Sequence, residues 1–433
     1  MPDLPSDLPA QWEHAPAGAA GPGAAEGWKA FADPALDRLV DAALAGNLTL
    51  RIAGDRLKAA RFLHHRSRAD FWPTLDFRVY EETAPGASTG YLEFGFDATW
   101  EFGLFGRSTG NARVSAADAN TAIIDEAAAR ITVAAEVART YVDLCTARAH
   151  VRLADAILAA RQRQREVAQT RVDTHLGSRA DLDHAASDLA AAQADAHDAL
   201  VPVAESEAAL AVLLGRRTTT EDIPTCDAPP ALEGIALAPP PADLVRTRPE
   251  IRKAEQNVLR AAGELGIARA DLFPKFGIIG TLISSTALTG DVDHPNKAVP
   301  LIGPTISLPI LDWHARRAVV GAREAALDAA VLAYREAVLE GIEEVEASLA
   351  RFAAKTALAA DASAAAETAS QSYERAAAAR RIGLADDGEL MGAKVALAQA
   401  ELQKTQALRE RGLAYIALYK AFGGAMPPLA SAP

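Results

Sequence analysis

Few residues in this 433-residue chain have the type and spacing to do chemistry. The densest group is RRIGLADDGE (380–389), where Arg380 and Arg381 precede Gly383, Asp386, Asp387 and Glu389. Acids so placed cap a helix N-terminus. Arranged by several copies around an opening, they would instead form a negative ring that favours cations. The two arginines would pair with them and hold such an opening shut, although exposed pairs contribute little. A second polar break, THLGSRAD (174–181), presents Gly177, Ser178 and Asp181. The nine histidines, including the doublet His64 and His65, show no metal-ligand spacing of the H-E-x-x-H kind and read as polar surface. There is no Gly-rich phosphate loop, nucleophile elbow or Cys–His pair. No catalytic residue, metal or cofactor is therefore assigned, and the chain is expected not to be an enzyme. Cys145 and Cys226 are too few and too unpatterned for a disulfide framework or a zinc site and read as incidental.

Composition says what elements must carry these residues. Half the chain is hydrophobic and it is rich in Ala, which favours long, closely packed helices. A net charge of −13 argues against a nucleic-acid partner. The aromatics Phe71, Trp72, Phe77, Tyr80, Tyr91, Phe94, Phe96, Trp100, Phe102 and Phe105 crowd into one short span, where something other than helix is expected. No run of 18 apolar residues predicts a transmembrane helix. The opening MPDLPSDLPAQW has no signal-peptide pattern, so it reads either as a cytoplasmic start or as a chain whose targeting segment was removed.

RADFWPTLDF (68–77) and RADLFPKFGI (269–278) are the same junction written twice. Upstream, NLTLRIAGDRLKAA matches RPEIRKAEQNVLRAA; downstream, ATWEFGLFGR matches ISLPILDWHAR, and GSRADLDHAASDLAAAQA matches ADDGELMGAKVALAQAEL. Four anchors in one order make a duplication of about 200 residues. In each copy a period of two marks a strand hairpin: Leu75 to Val79 with Leu92 to Leu104, then 275–284 with the run from Ile302 to Ile310. APGASTG (84–90) and the longer 284–299 are the hairpin loops. Asp70 and Asp271 read as polar stops, and Pro73 and Pro274 forbid further helix.

On either side the period is helical. One stripe runs Ile131, Ala134, Ala138, Tyr141, Cys145, Ala149, Leu153 and Ala156; a second, Val137, Leu144, Val151 and Leu158, is interrupted by Arg148 and Asp155. Copy two carries a cleaner seam from Leu327 through Tyr334, Val338, Val345 and Leu349 to Phe352. A helix from about 111 to 174 would span roughly 95 Å. Pro202 should kink or split the first returning helix. Four strands cannot close a barrel and open edges are not tolerated in a bilayer, so the chain must oligomerise or pack its hairpins against another layer; with three chains, twelve strands could close a tube.

LPAQW (8–12), WKAFADPALDRLVDAALAGNLTL (28–50), TWEFGLFGR (99–107), RTRPEIRKAE (246–255) and SLPILD (307–312) together resemble the TolC-like outer-membrane efflux proteins, in particular the lipoprotein branch typified by OprM. The resemblance implies a mixed α and β membrane protein: a trimeric twelve-stranded β-barrel continued by a long α-helical coiled-coil barrel. On that pattern the chain divides into an N-terminal segment 1–34 and, for repeat one, a short helix 35–67, a β-hairpin 68–106 and a helical hairpin 107–216. A linker 217–240 leads to the second short helix 241–270, β-hairpin 271–312, helical hairpin 313–424 and a tail 425–433. Phe94, Phe96, Trp100 and Phe102 would face lipid. The implied function is the exit channel of a tripartite efflux pump in a Gram-negative outer membrane, passing drugs, solvents or metals. Its partners would be two further copies, a periplasmic adaptor, an inner-membrane transporter and outer-membrane lipid. Gly177, Ser178, Asp181, Gly383, Asp386, Asp387 and Glu389 match the adaptor-docking tip, and Arg380, Arg381, Asp386 and Asp387 would form its gate. A protein-secretion duct and a soluble coiled-coil scaffold are the alternatives. Two departures stand out: relatives carry an Asp where Gly392 lies in ELMGAK, and a lipidated Cys upstream of the opening. The signal and anchor are expected to have been removed, or to lie upstream of the assigned start.

Overall fold

The structure, a computed structural model, describes residues 12–13, 27–82, 91–217, 225–232, 247–287 and 298–424. The expected hairpin loop 84–90, most of the 284–299 loop, most of the linker and of the N-terminal segment, and the tail 425–433 lie outside them, as do the side chains of Tyr80 and Tyr91. The helices are α1 (Pro34–Gly46), α2 (Leu48–Ala69), α3 (Arg107–Asp173), α4 (Arg179–Asp198), α5 (Leu200–Leu213), α6 (Pro249–Ala270), α7 (Trp313–Arg381) and α8 (Asp387–Ala421). The strands are β1 (Thr74–Glu82), β2 (Tyr91–Phe102), β3 (Lys275–Ala287) and β4 (Val299–Ser307). Among the described residues no helix is long and apolar enough to cross a membrane. The chain forms two compact units.

The first unit comprises Gly54–Ile124 and Glu250–Ala337. Its centre is one antiparallel sheet in the order β1-β2-β3-β4, so the two hairpins join through β2 and β3. α2 and α6 each stop one residue before the junction aspartates, and β1 and β3 begin directly after the prolines. Register then sorts the side chains. Phe77 lies opposite Phe96, Phe96 opposite Leu282, and Trp100 opposite Ile278, while Ile302 and Ile306 extend the same face on β4. That face is apolar across all four strands, yet Phe77 is 59% exposed and Ile302 82%. The opposite face of the first hairpin carries Asp76, Arg78, Glu93, Asp97 and Thr99. Arg78 and Asp97 make a 3.3 Å ion pair there, and the Thr74 and Thr99 hydroxyls meet at 2.7 Å. Gly95 is required where β2 and β3 approach closely: a Cβ there would lie 2.1 Å from the Leu282 carbonyl. β3 is longer than expected, reaching Ala287, and β4 stops at Ser307, so Leu308 and Ile310 fall beyond the strand.

The second unit contains the described parts of Pro5–Ala53, Asp125–Pro249 and Val338–Pro433. Val338, Val345, Leu349 and Phe352 are buried as the seam predicts. The interrupted stripe proves equal to the complete one near its start, since Val137 and Leu144 are fully buried. Asp33 caps α1, accepting from the Ala35 amide at 2.8 Å, and also accepts from the Tyr141 hydroxyl at 2.9 Å. Burial and that carboxylate push the Tyr141 phenol well above its ordinary pKa. Arg248 is buried and donates to the carbonyls of Gly341 and Ala421 and to the Glu344 carboxylate.

Two expectations are corrected, and the break expected at Pro202 is found. The segment expected as one short helix, 35–67, is two helices parted at Asn47. There the Asn47 side chain donates to the Leu213 carbonyl at 2.8 Å and accepts from the Leu50 amide at 3.1 Å. The first returning helix splits into α4 and α5 at Ala199, three residues before Pro202: a proline offers no N–H to the carbonyl four residues back, and α4 ends there, at Asp198. Finally, Cys145 and Cys226 are not incidental, for they form a disulfide that ties α3 to segment 225–232. Arg152 adds a hydrogen bond to the Asp227 carbonyl. A separation of 81 residues left no spacing pattern from which to pair them.

Candidate functional site at the helical turns

The two turns that carry the predicted site residues lie in the second unit, between α3 and α4 and between α7 and α8. They are built alike, 208 residues apart. α3 closes with Leu176 and Gly177 amides bonded to the Arg171 carbonyl, and His175 takes the left-handed conformation at φ 60°. α7 closes with the Leu384 amide on the Ala379 carbonyl, and Gly383 is left-handed at φ 78°. Ser178 and Asp386 are the corresponding N-caps. Ser178 Oγ accepts from the Asp181 amide at 3.1 Å while the Asp181 carboxylate accepts from the Ser178 amide, a reciprocal box. Asp386 accepts from the Glu389 amide at 2.8 Å. Leu176, Ile382 and Leu384 stand exposed at the turns, from 72% to 82%.

Electrostatics binds one turn to the other. Asp387 accepts from Arg163 of α3 at 3.0 Å and from Arg380 of α7, and Asp386 pairs with Arg171 of α3. Arg161 pairs with Asp188 of α4 at 2.7 Å. Asp387 is held below the usual carboxylate range by Arg380 and Arg163, and Asp386 by the Glu389 amide and Arg171. Arg380 is raised by Asp387, and Arg163 by Glu166 and then by Asp387. Asp181 is lowered by its bonds to Ser178.

Of the expected gate residues the structure therefore gathers Arg380, Asp386 and Asp387. Arg381 does not join them: its Nε donates to the Ala377 carbonyl in its own helix. Asp386 is also a helix cap, so that reading of the acidic group holds for it. Arg163 and Arg171 were not found from sequence, because they lie more than 200 residues from their acids. At Gly392 the nearest atom to a built Cβ is Gln164 Nε2, at 3.8 Å. Among the described residues no His, Cys, Asp or Glu group is arranged to hold a metal.

Comparison with known proteins identifies the family. SrpC of Pseudomonas putida, a solvent efflux pump outer membrane protein, is 29% identical over 318 residues, covering 70% of this chain and 67% of that one. OprJ, an outer membrane protein of Pseudomonas aeruginosa, is 30% identical over 324 residues, covering 71% and 67%. The solved structure of the outer-membrane channel OprN superposes with a TM-score of 0.83 at 26% identity, covering 98% of each chain. The model of the outer membrane efflux protein family matches residues 39–216 and 241–424, both repeats almost whole, and this chain belongs to that family.

Proposed function

We propose that three copies of this chain form the outer-membrane exit channel of a tripartite efflux pump. The observation that carries the reading is the sheet. Four strands present one continuous exposed apolar face against a largely charged or polar one on the first hairpin, and β1 and β4 each have one unpaired edge. Such an object has no stable place in water or as an open sheet in lipid. Pairing β4 of one copy with β1 of the next closes twelve strands, turns Phe77, Phe94, Phe96, Trp100 and Phe102 toward acyl chains, and lines the lumen with Arg78 and Asp97. A soluble scaffold would leave that face without a purpose.

The helical turns are then the periplasmic entrance. Gly177, Ser178, Asp181, Gly383, Asp386, Asp387 and Glu389 make the surface for an adaptor that connects to an inner-membrane transporter. The Arg163, Arg171 and Arg380 contacts to Asp386 and Asp387 keep the two turns together and the entrance narrow. The Cys145–Cys226 disulfide supports maturation in an oxidising compartment, as the periplasm is. The cargo is a small molecule; SrpC, a solvent efflux pump outer membrane protein, lends a precedent for efflux, not for a particular compound.

Single-particle imaging of the full chain in mild detergent tests this. A hollow three-fold particle with a detergent belt is expected. Monomers or solid rods without a belt would overturn it.

A further inference from the structure

We infer that the inner wall of the second hairpin, an apolar strip of Ile279, Ile283, Val299 and Leu301, takes up small organic cations that have an apolar body. The inference rests on the closed barrel proposed above and names the class of cargo that its wall fits.

The two hairpins differ in a way that contact with lipid does not explain. A strand between lipid and a water-filled lumen needs one apolar face and one polar face, and the first hairpin has both. The second is apolar on both. Phe276, Ile278, Leu282, Ile302 and Ile306 continue the outer face, yet the side chains that alternate with them include Ile279 and Ile283 on β3 and Val299 and Leu301 on β4. Ile283 lies opposite Val299, and Thr281 opposite Leu301, so the strip is contiguous. Val299 and Leu301 are 62% and 59% exposed. β4 carries no charged residue, and β3 only Lys275 at its start. An apolar patch left open on the water side of a wall marks a surface that meets an apolar partner.

Charge on the neighbouring strand selects the sign of that partner. Along β2 the same inward face continues with Glu93, opposite Ser285, and Asp97, opposite Thr281. Asp97 is engaged by Arg78 at 3.3 Å. Glu93 has no ion-pair partner among the described residues and stands one strand away from Ile283. Closing the barrel sets β1, whose inward face carries an equally uncommitted Asp76, along the strip's other edge. Each apolar strip thus lies between two acidic ones. Adjacent strands are about 5 Å apart, so a molecule with a fixed positive charge next to an aromatic ring can touch Ile283 and Glu93 at once. The apolar wall beside the carboxylate strengthens that attraction. An organic anion of the same size is repelled, and a small hydrated cation finds no use for the strip.

The test is the reactivity of a thiol placed on the strip by Thr281→Cys, in the full chain reconstituted in lipid vesicles at low salt. The native cysteines are bonded to each other and do not compete. A methanethiosulfonate that carries trimethylammonium should react about tenfold faster than one that carries sulfonate. Benzyltrimethylammonium should slow that reaction, while tetramethylammonium and benzenesulfonate at the same concentration should not. Adding Glu93→Gln should cut the preference for the cationic reagent about threefold, and adding Ile283→Thr should abolish protection by benzyltrimethylammonium. Both changes keep the size of the side chain nearly constant, and trimer on non-denaturing gels will show that the variants assemble. Equal rates for the two reagents, equal protection by tetramethylammonium, undiminished effects in both added variants, or a thiol that stays unreactive in intact trimer would overturn the inference. Failure of the barrel reading looks different: Phe96→Cys, on the face assigned to lipid, would then react with both reagents as a thiol in water does.

Discussion

Asp387 takes guanidinium contacts from two helices, Arg163 on α3 and Arg380 on α7, and Asp386 takes Arg171 together with a helix N-terminal amide. Both carboxyls titrate below the usual aspartate value, so their contribution is present above that value and is lost as pH falls through the lowered one. The proposed clasp is thus intact at neutral and mildly acid pH. Channel conductance in a planar bilayer should stay flat down to about pH 4 and rise below it. Asp387→Asn should show the raised conductance at neutral pH, and a flat acid profile in both proteins would remove the clasp from the gate. A different residue, His175, takes a left-handed conformation that its counterpart Gly383 adopts freely. His175→Gly should stabilise the first turn by about 0.5–1 kcal/mol, slowing amide exchange at Leu176 and Gly177 roughly twofold to fivefold.

Elements were legible where local chemistry decides them. Proline three residues after Asp70 and Asp271 ended each helix and opened each strand, and alternation around Phe94, Phe96 and Trp100 marked the exposed apolar face. The equivalent caps at Ser178 and Asp386 could be aligned from the repeat alone. What depends on distant partners was not legible. Asn47 divides α1 from α2 because it binds the Leu213 carbonyl, and Arg163 and Arg171 find their acids on another helix. The Cys145–Cys226 bond is of the same kind, closing a loop of 81 residues. On the chain-entropy account such a loop contributes up to about 4.5 kcal/mol through the unfolded state. The double variant Cys145→Ser, Cys226→Ser should therefore lower the urea midpoint, and proteolysis near segment 225–232 should become faster. An unchanged midpoint would mean that packing around buried Cys145, not the covalent link, holds this segment.

At the scale of the assembly, the sheet makes the sharpest demand. Membership in the efflux family leaves each chain with four strands, and the proposed trimer gives their edges partners and their apolar face a solvent. Both faces of one hairpin then carry opposite requirements, apolar toward lipid and polar toward the lumen. Phe77→Arg puts a charge on the face that includes Phe96 and Leu282, and near the bilayer midplane this costs about 2–4 kcal/mol. Asp97→Asn, one residue from Phe96 and on the opposite face, removes the carboxylate from its pair with the exposed Arg78, a small loss for such pairs, and should be tolerated. Trimer recovered from outer membranes, measured on non-denaturing gels, should fall sharply for Phe77→Arg and stay near the parent level for Asp97→Asn. If the two variants assemble equally well, the apolar face does not meet lipid and the closed barrel loses its main support. The contrast is diagnostic because the positions share one hairpin and differ mainly in which way the pleat turns them.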